Sequence, residues 1–246
     1  MFKGHGIPLS DEELREWGVS HRVAVLYLLL PPVGAIVVAL TGLWNPFYRL
    51  LTAEDHILEW AQFTCYVVAS LASGAMAFRL FREGRRSVAL LWMGFALGLL
   101  LIAGEEIAWG QRVFDLETPP ALERLNRQRE ITLHNIGNWG IVFEVISFTA
   151  ALYAVGSAIW FRHLRPPRNR DLVELLVPPL FLINLFLVVL LYKLVRAVLT
   201  LAGVPPFNDF AEYNELCLAF GFASFGVLSL RRQVLRNSRT TPAGPV

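Results

Sequence analysis

Six long apolar runs, separated by short polar and charged segments, dominate the pattern of this chain. They lie at about 22–44, 56–80, 87–109, 138–161, 172–200 and 210–230. A bilayer's hydrocarbon core is roughly 30 Å thick and takes about 20 apolar residues of helix to cross. Each run is long enough, so the pattern predicts an all-α polytopic membrane bundle of six transmembrane helices. The fifth run contains Pro178 and Pro179. Proline removes an amide donor and clashes with the preceding turn, which predicts a break there whose freed backbone groups must find partners inside the protein.

The polar segments divide the chain into three parts. Residues 1–21 carry Asp11, Glu12, Glu13 and Glu16 before the first run, which is unlike a cleavable leader. Ser10 followed by acidic residues is a helix start, so residues 10–18 are predicted to form a short surface helix at the membrane edge. Residues 22–232 make the transmembrane domain, and 233–246 read as a disordered tail. Between the third and fourth runs, residues 112–137 form the one long connection. There Pro119-Pro120 opens ALERLNRQREITLHN, expected to lie as a short amphipathic helix over the outer end of the bundle.

Arginine placement sets the expected orientation. Clusters at Arg79, Arg82, Arg85 and Arg86, at Arg162, Arg165, Arg168 and Arg170, and at Arg231, Arg232, Arg236 and Arg239 fall on one side of a six-span bundle. By the positive-inside rule that side is the cytoplasm, with both termini inside, against one opposing cluster at Arg112, Arg124, Arg127 and Arg129. Composition agrees with a membrane location: 55% of residues are hydrophobic, only 17% are charged, and mean hydropathy is +0.49. The arginines flank apolar runs and do not form a nucleic-acid footprint. The two cysteines, Cys65 and Cys217, fall inside spans without metal or redox spacing and read as packing residues.

Candidate chemistry comes from depth. At about 1.5 Å per residue, counting from the arginine ends puts Glu59, Glu106, Glu144, Glu212 and Glu215 at similar heights near the outer boundary of the hydrocarbon. A lipid-facing carboxylate there costs on the order of 2–3 kcal/mol or more, so these groups are expected to face inward and meet. Asp55, Glu59 and Gln62 share one face of the second span, and Asn208, Glu212 and Glu215 repeat that spacing on the sixth. His134, Gly137, Ile141 and Glu144 share a stripe if the fourth helix starts before residue 134. Near the layer, nine acids (Glu54, Asp55, Glu59, Glu105, Glu106, Glu144, Asp209, Glu212, Glu215) face Arg112, Lys193, Arg196 and Arg49. Either some carboxyls stay protonated or a bound cation compensates.

GEEIAWGQR, residues 104–112, is the most unusual string. Its adjacent glutamates suit acid/base or metal chemistry, or else a structural ion-pair knot with Arg112 and Lys193. The catalytic candidates are Glu105, Glu106, His134 and Arg112. A carboxylate-rich divalent-metal site would draw on His56, Glu59, Glu106 and Glu212. Arg112, Lys193, Arg196, Asn135 and Asn138 are candidates for holding substrate, with neutralisation of excess glutamates the equal alternative for Lys193 and Arg196. Asn184 reads as an interhelical hydrogen bond, and Trp44, Trp109 and Trp139 as interface anchors. No GxSxG, HExxH or phosphate loop is present. The Glu pair with His134 and Asn138 is only loosely similar to intramembrane CAAX-type proteases. The arginine lies too far from the glutamates, and an FxxxH element is missing.

GEEIAWGQRVF, ETP at 117–119 and LNRQREITLHN at 125–135, with Glu54-Asp55 and Glu59 upstream, together resemble a motif set of bacterial multi-pass membrane proteins of uncharacterised function. The resemblance covers roughly residues 54–138 and implies an integral membrane protein of bacterial type without implying an activity; the expected location is the bacterial inner membrane. The expected role is an enzyme acting on a lipid or lipid-linked substrate in the outer leaflet. The alternatives are an accessory subunit of a membrane complex, in which the acids contact protein partners, and an ion- or proton-coupled transporter. Nearly apolar inner halves of spans two, three and six (LASGAMAF, LLWMGFAL, GFASFGVL) argue against a through-path.

Overall fold

The computed structural model describes residues 10–52, 57–111, 113–126, 130–133, 135–164, 170–204 and 210–240. Ten α-helices make up the described chain: α1 (Asp11–Trp17), α2 (His21–Thr41), α3 (Asn45–Thr52), α4 (Ile57–Arg82), α5 (Arg86–Glu106), α6 (Pro120–Glu123), α7 (Trp139–Ser157), α8 (Arg170–Leu176), α9 (Ile183–Leu201) and α10 (Ala211–Thr240). Among the described residues the only extended pairing is an isolated bridge between Asn126 and Ile136. Six segments are long and apolar enough to cross a membrane: His21–Thr41, Ile57–Arg82, Arg86–Glu106, Trp139–Arg162, Asp171–Leu201 and Ala211–Arg236. They match the six expected runs, because a 20-residue apolar window is the strongest signal a sequence carries.

The spanning helices are arranged as an open ring. α4 packs against both α5 and α10; α10 continues to α9, α9 to α7, and α2 lies against α9 and touches α10. Small residues allow these approaches. Gly226 on α10 faces Ala72 and Ser73 of α4, and a Cβ on Gly221 would come within 2.8 Å of the Phe186 ring. The ring is not closed, for α5 and α7 scarcely touch along their lengths.

Prolines in two spans are compensated by named partners. In α2, Pro32 cannot donate to Leu28, and the Leu28 carbonyl instead accepts from Asn184 Nδ2 at 2.7 Å. This is the interhelical bond expected of Asn184. In the fifth span the helix stops at Leu176 and resumes through a 3₁₀ turn at Leu180–Leu182. The carbonyls of Leu176, Val177 and Pro178 accept from Tyr153 Oη, Arg162 Nη2 and Arg162 Nε at 2.9, 2.6 and 2.8 Å. The Leu180 amide donates to Glu13 Oε1 at 3.1 Å.

That last bond fixes one face of α1. The helix forms as expected, with Ser10 Oγ accepting from the Glu13 amide and left-handed Gly18 ending it. Asp11, Glu12 and Arg15 are exposed, whereas the opposite face is packed into the bundle. Trp17 is fully buried against Phe181 and Phe225, between the guanidinium groups of Arg162 and Arg232 at 5.5 and 4.9 Å. Arg232 also pairs with Glu174 and Glu16, and Arg162 with Glu13 at 3.6 Å. Burial raises the Glu13 carboxyl above the ordinary carboxylate range, outweighing the opposing pull of Arg162 and the Leu180 amide.

The 112–137 connection also departs from expectation. Its helix is a single turn, Pro120–Glu123. Beyond it, Asn126 Nδ2 donates to Thr132 O and Oγ1 at 2.8 and 3.0 Å, and the Ile131 amide donates to Gln111 Oε1 at 2.7 Å. Short polar side chains bonding to nearby backbone compete with the helical ladder, and here they win. The fourth span accordingly begins at Trp139, after a left-handed Gly137 at φ +53°. The stripe from position 134 through Gly137 to Glu144 therefore does not exist as a helix face.

Candidate functional site

The end of the bundle opposite α1 encloses a cavity of about 590 Å³. Its walls come from α4, α5, α7, α9 and α10, with Glu130 and Asn135 contributed by the connection above it. Among the described residues the lining carries seven carboxylates (Glu59, Glu105, Glu106, Glu130, Glu144, Glu212, Glu215) and one ammonium, Lys193. Carboxylates from four spanning helices thus meet in one chamber, as the depth count expects. Its lower wall is apolar, with Phe95, Leu99, Ile102, Phe143, Leu218 and Phe222.

Within the GEEIAWGQR string the two glutamates differ. Glu105 is buried, and both its oxygens are engaged: Oε1 accepts from Trp109 Nε1 at 2.8 Å, and Oε2 from the Leu133 amide at 2.6 Å. These bonds hold a strained exit from α5. Ala108, Trp109 and Gly110 take φ values of +45°, +55° and +78° in succession. A left-handed backbone costs a non-glycine residue roughly 1–2 kcal/mol. The Trp109 ring then folds back over Gly104, where a Cβ would meet it at 2.9 Å. Gln111 completes the structure by donating to Thr118 Oγ1 at 2.6 Å. Most of the string therefore builds a turn and ties it to residues 131–133.

Glu106 is the exception. It lines the cavity, half-buried, and no hydrogen bond reaches its carboxylate among the described residues. The charges of Glu215, Glu212, Glu59 and Glu105 act on it. Glu212 Oε2 accepts from Gln62 Nε2 at 2.9 Å, and the same nitrogen donates to the Glu212 carbonyl. That ties α4 to α10 on the face expected from the Glu59–Gln62 spacing.

Lys193 and Arg196 are both ion-paired. Lys193 Nζ lies 2.5 Å from Glu144 Oε2, and Arg196 Nη1 lies 2.8 Å from Glu144 Oε1. One carboxylate of α7 takes both cations of α9, which is the neutralising alternative. Asn135 lines the cavity and donates to Thr132 Oγ1 at 3.2 Å, whereas Asn138 is exposed at the start of α7 and lies off the lining. His56, Arg112 and His134 lie outside the described residues, as do Glu54, Asp55, Asn208 and Asp209.

Glu59, Glu106 and Glu212 line the same chamber, yet among the described residues no three His, Cys, Asp or Glu side chains are close enough to hold a metal ion. Sequence reasoning missed two features of the chamber. Glu130 enters only because the connection folds back, which no local pattern signals. Gly94 and Gly98 face its open side four residues apart on α5, a spacing visible in the sequence. Trp44, Trp109 and Trp139 are 66%, 44% and 51% exposed, in keeping with interface positions.

No family model matches the chain, and neither does any curated protein or solved structure.

Proposed function

We propose that this protein resides in a bacterial inner membrane with both termini in the cytoplasm, and acts on the polar group of a lipid or lipid-linked substrate in the outer leaflet. The observation that carries this reading is the single chamber of about 590 Å³, acidic at its upper wall and apolar below. Small-molecule sites span roughly 300–1,000 Å³, and an amphiphile suits such two-part walls. Glu106 gives or takes a proton at the substrate's polar group, since it lines the chamber and no hydrogen bond from the described residues reaches its carboxylate. Glu59, Glu212 and Glu215 hold substrate hydroxyl or amine groups. Glu105 is a positioning residue, which fixes residues 131–133 above Glu106. Arg112 and His134 remain sequence-based candidates for binding an anionic group and for proton transfer.

The test compares membrane lipid composition, by mass spectrometry, in cells carrying wild type, a deletion, Glu106→Gln or Glu105→Gln. The expected outcome is one lipid species that accumulates on deletion and equally with stably expressed Glu106→Gln. Unchanged lipids in the deletion strain would overturn the reading. Elemental analysis of wild type against Glu106→Gln and His134→Ala separates metal-assisted from simple acid/base chemistry.

A second reading, an accessory subunit of a membrane complex, draws support from the bonds of Glu105 and Glu144, which are structural in character. It predicts that Glu106→Gln leaves lipids unaltered while Glu105→Gln disrupts assembly with a protein partner.

A further inference from the structure

We infer that the slot between α5 and α7 seats a long hydrocarbon chain, so that the substrate enters the acidic chamber sideways from the bilayer with its chain trailing along the slot. This deepens the amphiphile reading above and rests on it.

Four observations support the slot. First, α5 and α7 form opposite walls of the chamber yet scarcely touch each other. Second, a further cavity of about 310 Å³ continues the chamber toward the α1 end. Its lining is almost wholly apolar, and it shares Phe95, Ala150 and Phe222 with the chamber, so the two adjoin at those residues. Third, α5 presents Gly94 and Gly98 to the chamber with no atom within 4 Å of where a Cβ would stand. Gly34 and Gly221, by contrast, stand tightly against Tyr213 and Phe186. Gly94 and Gly98 open space without admitting a neighbouring helix. Fourth, the rims face outward, with Leu91, Ile146 and Tyr153 58%, 52% and 53% exposed although each lines one of the two cavities.

Length points to a chain rather than a small apolar molecule. From Glu106 down to Leu91 is 15 residues of α5, or about 22 Å at the helical rise. Half of the bilayer's hydrocarbon core is only about 15 Å. A chain anchored by its head near Glu106 therefore runs past the midplane before the lower cavity ends at Leu175, Leu176 and Pro178 of the broken fifth span. A partner helix, about 10–12 Å across with its side chains, is too broad an occupant for the lower cavity of about 310 Å³, whose wall includes the Phe95 and Phe222 rings in edge-to-face contact.

The experiment uses the full chain in nanodiscs containing a phospholipid with a diazirine at the acyl-chain terminus. Photolysis is followed by peptide mapping. Wild type is expected to give crosslinks concentrated on the segments containing Phe95, Ala150 and Phe222. Gly98→Phe and, separately, Gly94→Leu fill the open side and should lower those crosslinks about tenfold, a loss of ~1.4 kcal/mol in occupancy. Crosslinks to Leu97 and Leu101, which are exposed on the outer face of α5, serve as the internal standard and should not change. Their constancy also reports that each variant is folded and inserted. Equal labelling of slot and outer face in wild type, or slot labelling unaffected by both substitutions, would overturn the inference. Glu106→Gln distinguishes the two proposals: it should abolish the lipid phenotype and leave slot labelling intact. Slot labelling without any lipid phenotype would leave the chain seat standing and remove the enzyme reading.

Discussion

Glu105 receives the indole N–H of Trp109 at 2.8 Å across the left-handed turn that ends α5. The same carboxylate receives the Leu133 amide, so one side chain stabilises a strained turn and anchors the segment above the chamber. Removing a charged acceptor from a buried donor costs about 1–3 kcal/mol. Glu105→Ala should lower the thermal unfolding midpoint of the solubilised protein clearly, whereas Glu106→Gln, with no hydrogen bond to lose, should leave it nearly unchanged. Equal loss in both variants would remove the distinction between the adjacent glutamates.

Glycines on one helix should respond with opposite sign. Gly104→Ala places a methyl 2.9 Å from the Trp109 ring, while Gly98→Ala meets nothing within 4 Å. Alanine is favoured over glycine in a helix by about 0.8–1.0 kcal/mol. Gly98→Ala should therefore be neutral or stabilising, and Gly104→Ala destabilising, as measured by thermal unfolding in detergent.

The two partners in the Lys193–Glu144 pair are unequally buried, with side chains 7% and 37% exposed. Stranding a buried charge costs up to about 3–5 kcal/mol, and Arg196 remains to serve Glu144 but cannot serve Lys193. Glu144→Gln should destabilise more than Lys193→Met, and the double variant should recover part of the loss. A double-mutant cycle on unfolding midpoints measures it, and an additive result would show that the pair is not coupled.

At the opposite end, Glu13 gives a pH dependence. Burial raises its carboxyl in the folded state, so the native protein holds that proton more tightly than the unfolded chain does. The associated stability is fully present below the ordinary glutamate value of about 4.3. It declines as pH rises through the raised folded value. Relative to Glu13→Gln, wild type should be more stable at pH 4 than at pH 8. A difference that is flat or that grows with pH would show that the ion pair to Arg162 outweighs burial.

Several structural features were legible in residues alone. Hydropathy marked the six spans, Pro178-Pro179 marked the break, and equal counts from arginine to glutamate marked a shared depth, because rise per residue and bilayer thickness are fixed lengths. The same counting could not tell which carboxylate would be satisfied. Glu105 and Glu106 are adjacent, yet a helix turns about 100° per residue, and only the folded connection brings the Leu133 amide to one of them. Nor could it place α1: the acidic start of the helix was clear, but the value of Trp17 and Glu13 depends on Arg162, Arg232 and the Leu180 amide, which arrive from three distant segments.

The sequence by itself determined a membrane-spanning helical bundle with acids gathered at one level, since burial in lipid dictates both from composition and spacing. Tertiary structure alone decided that α5 and α7 stand apart, that Lys193 and Arg196 both go to Glu144, and that the Leu133 amide reaches Glu105. Each of those outcomes depends on which surfaces meet across long chain separations, and no local pattern encodes that.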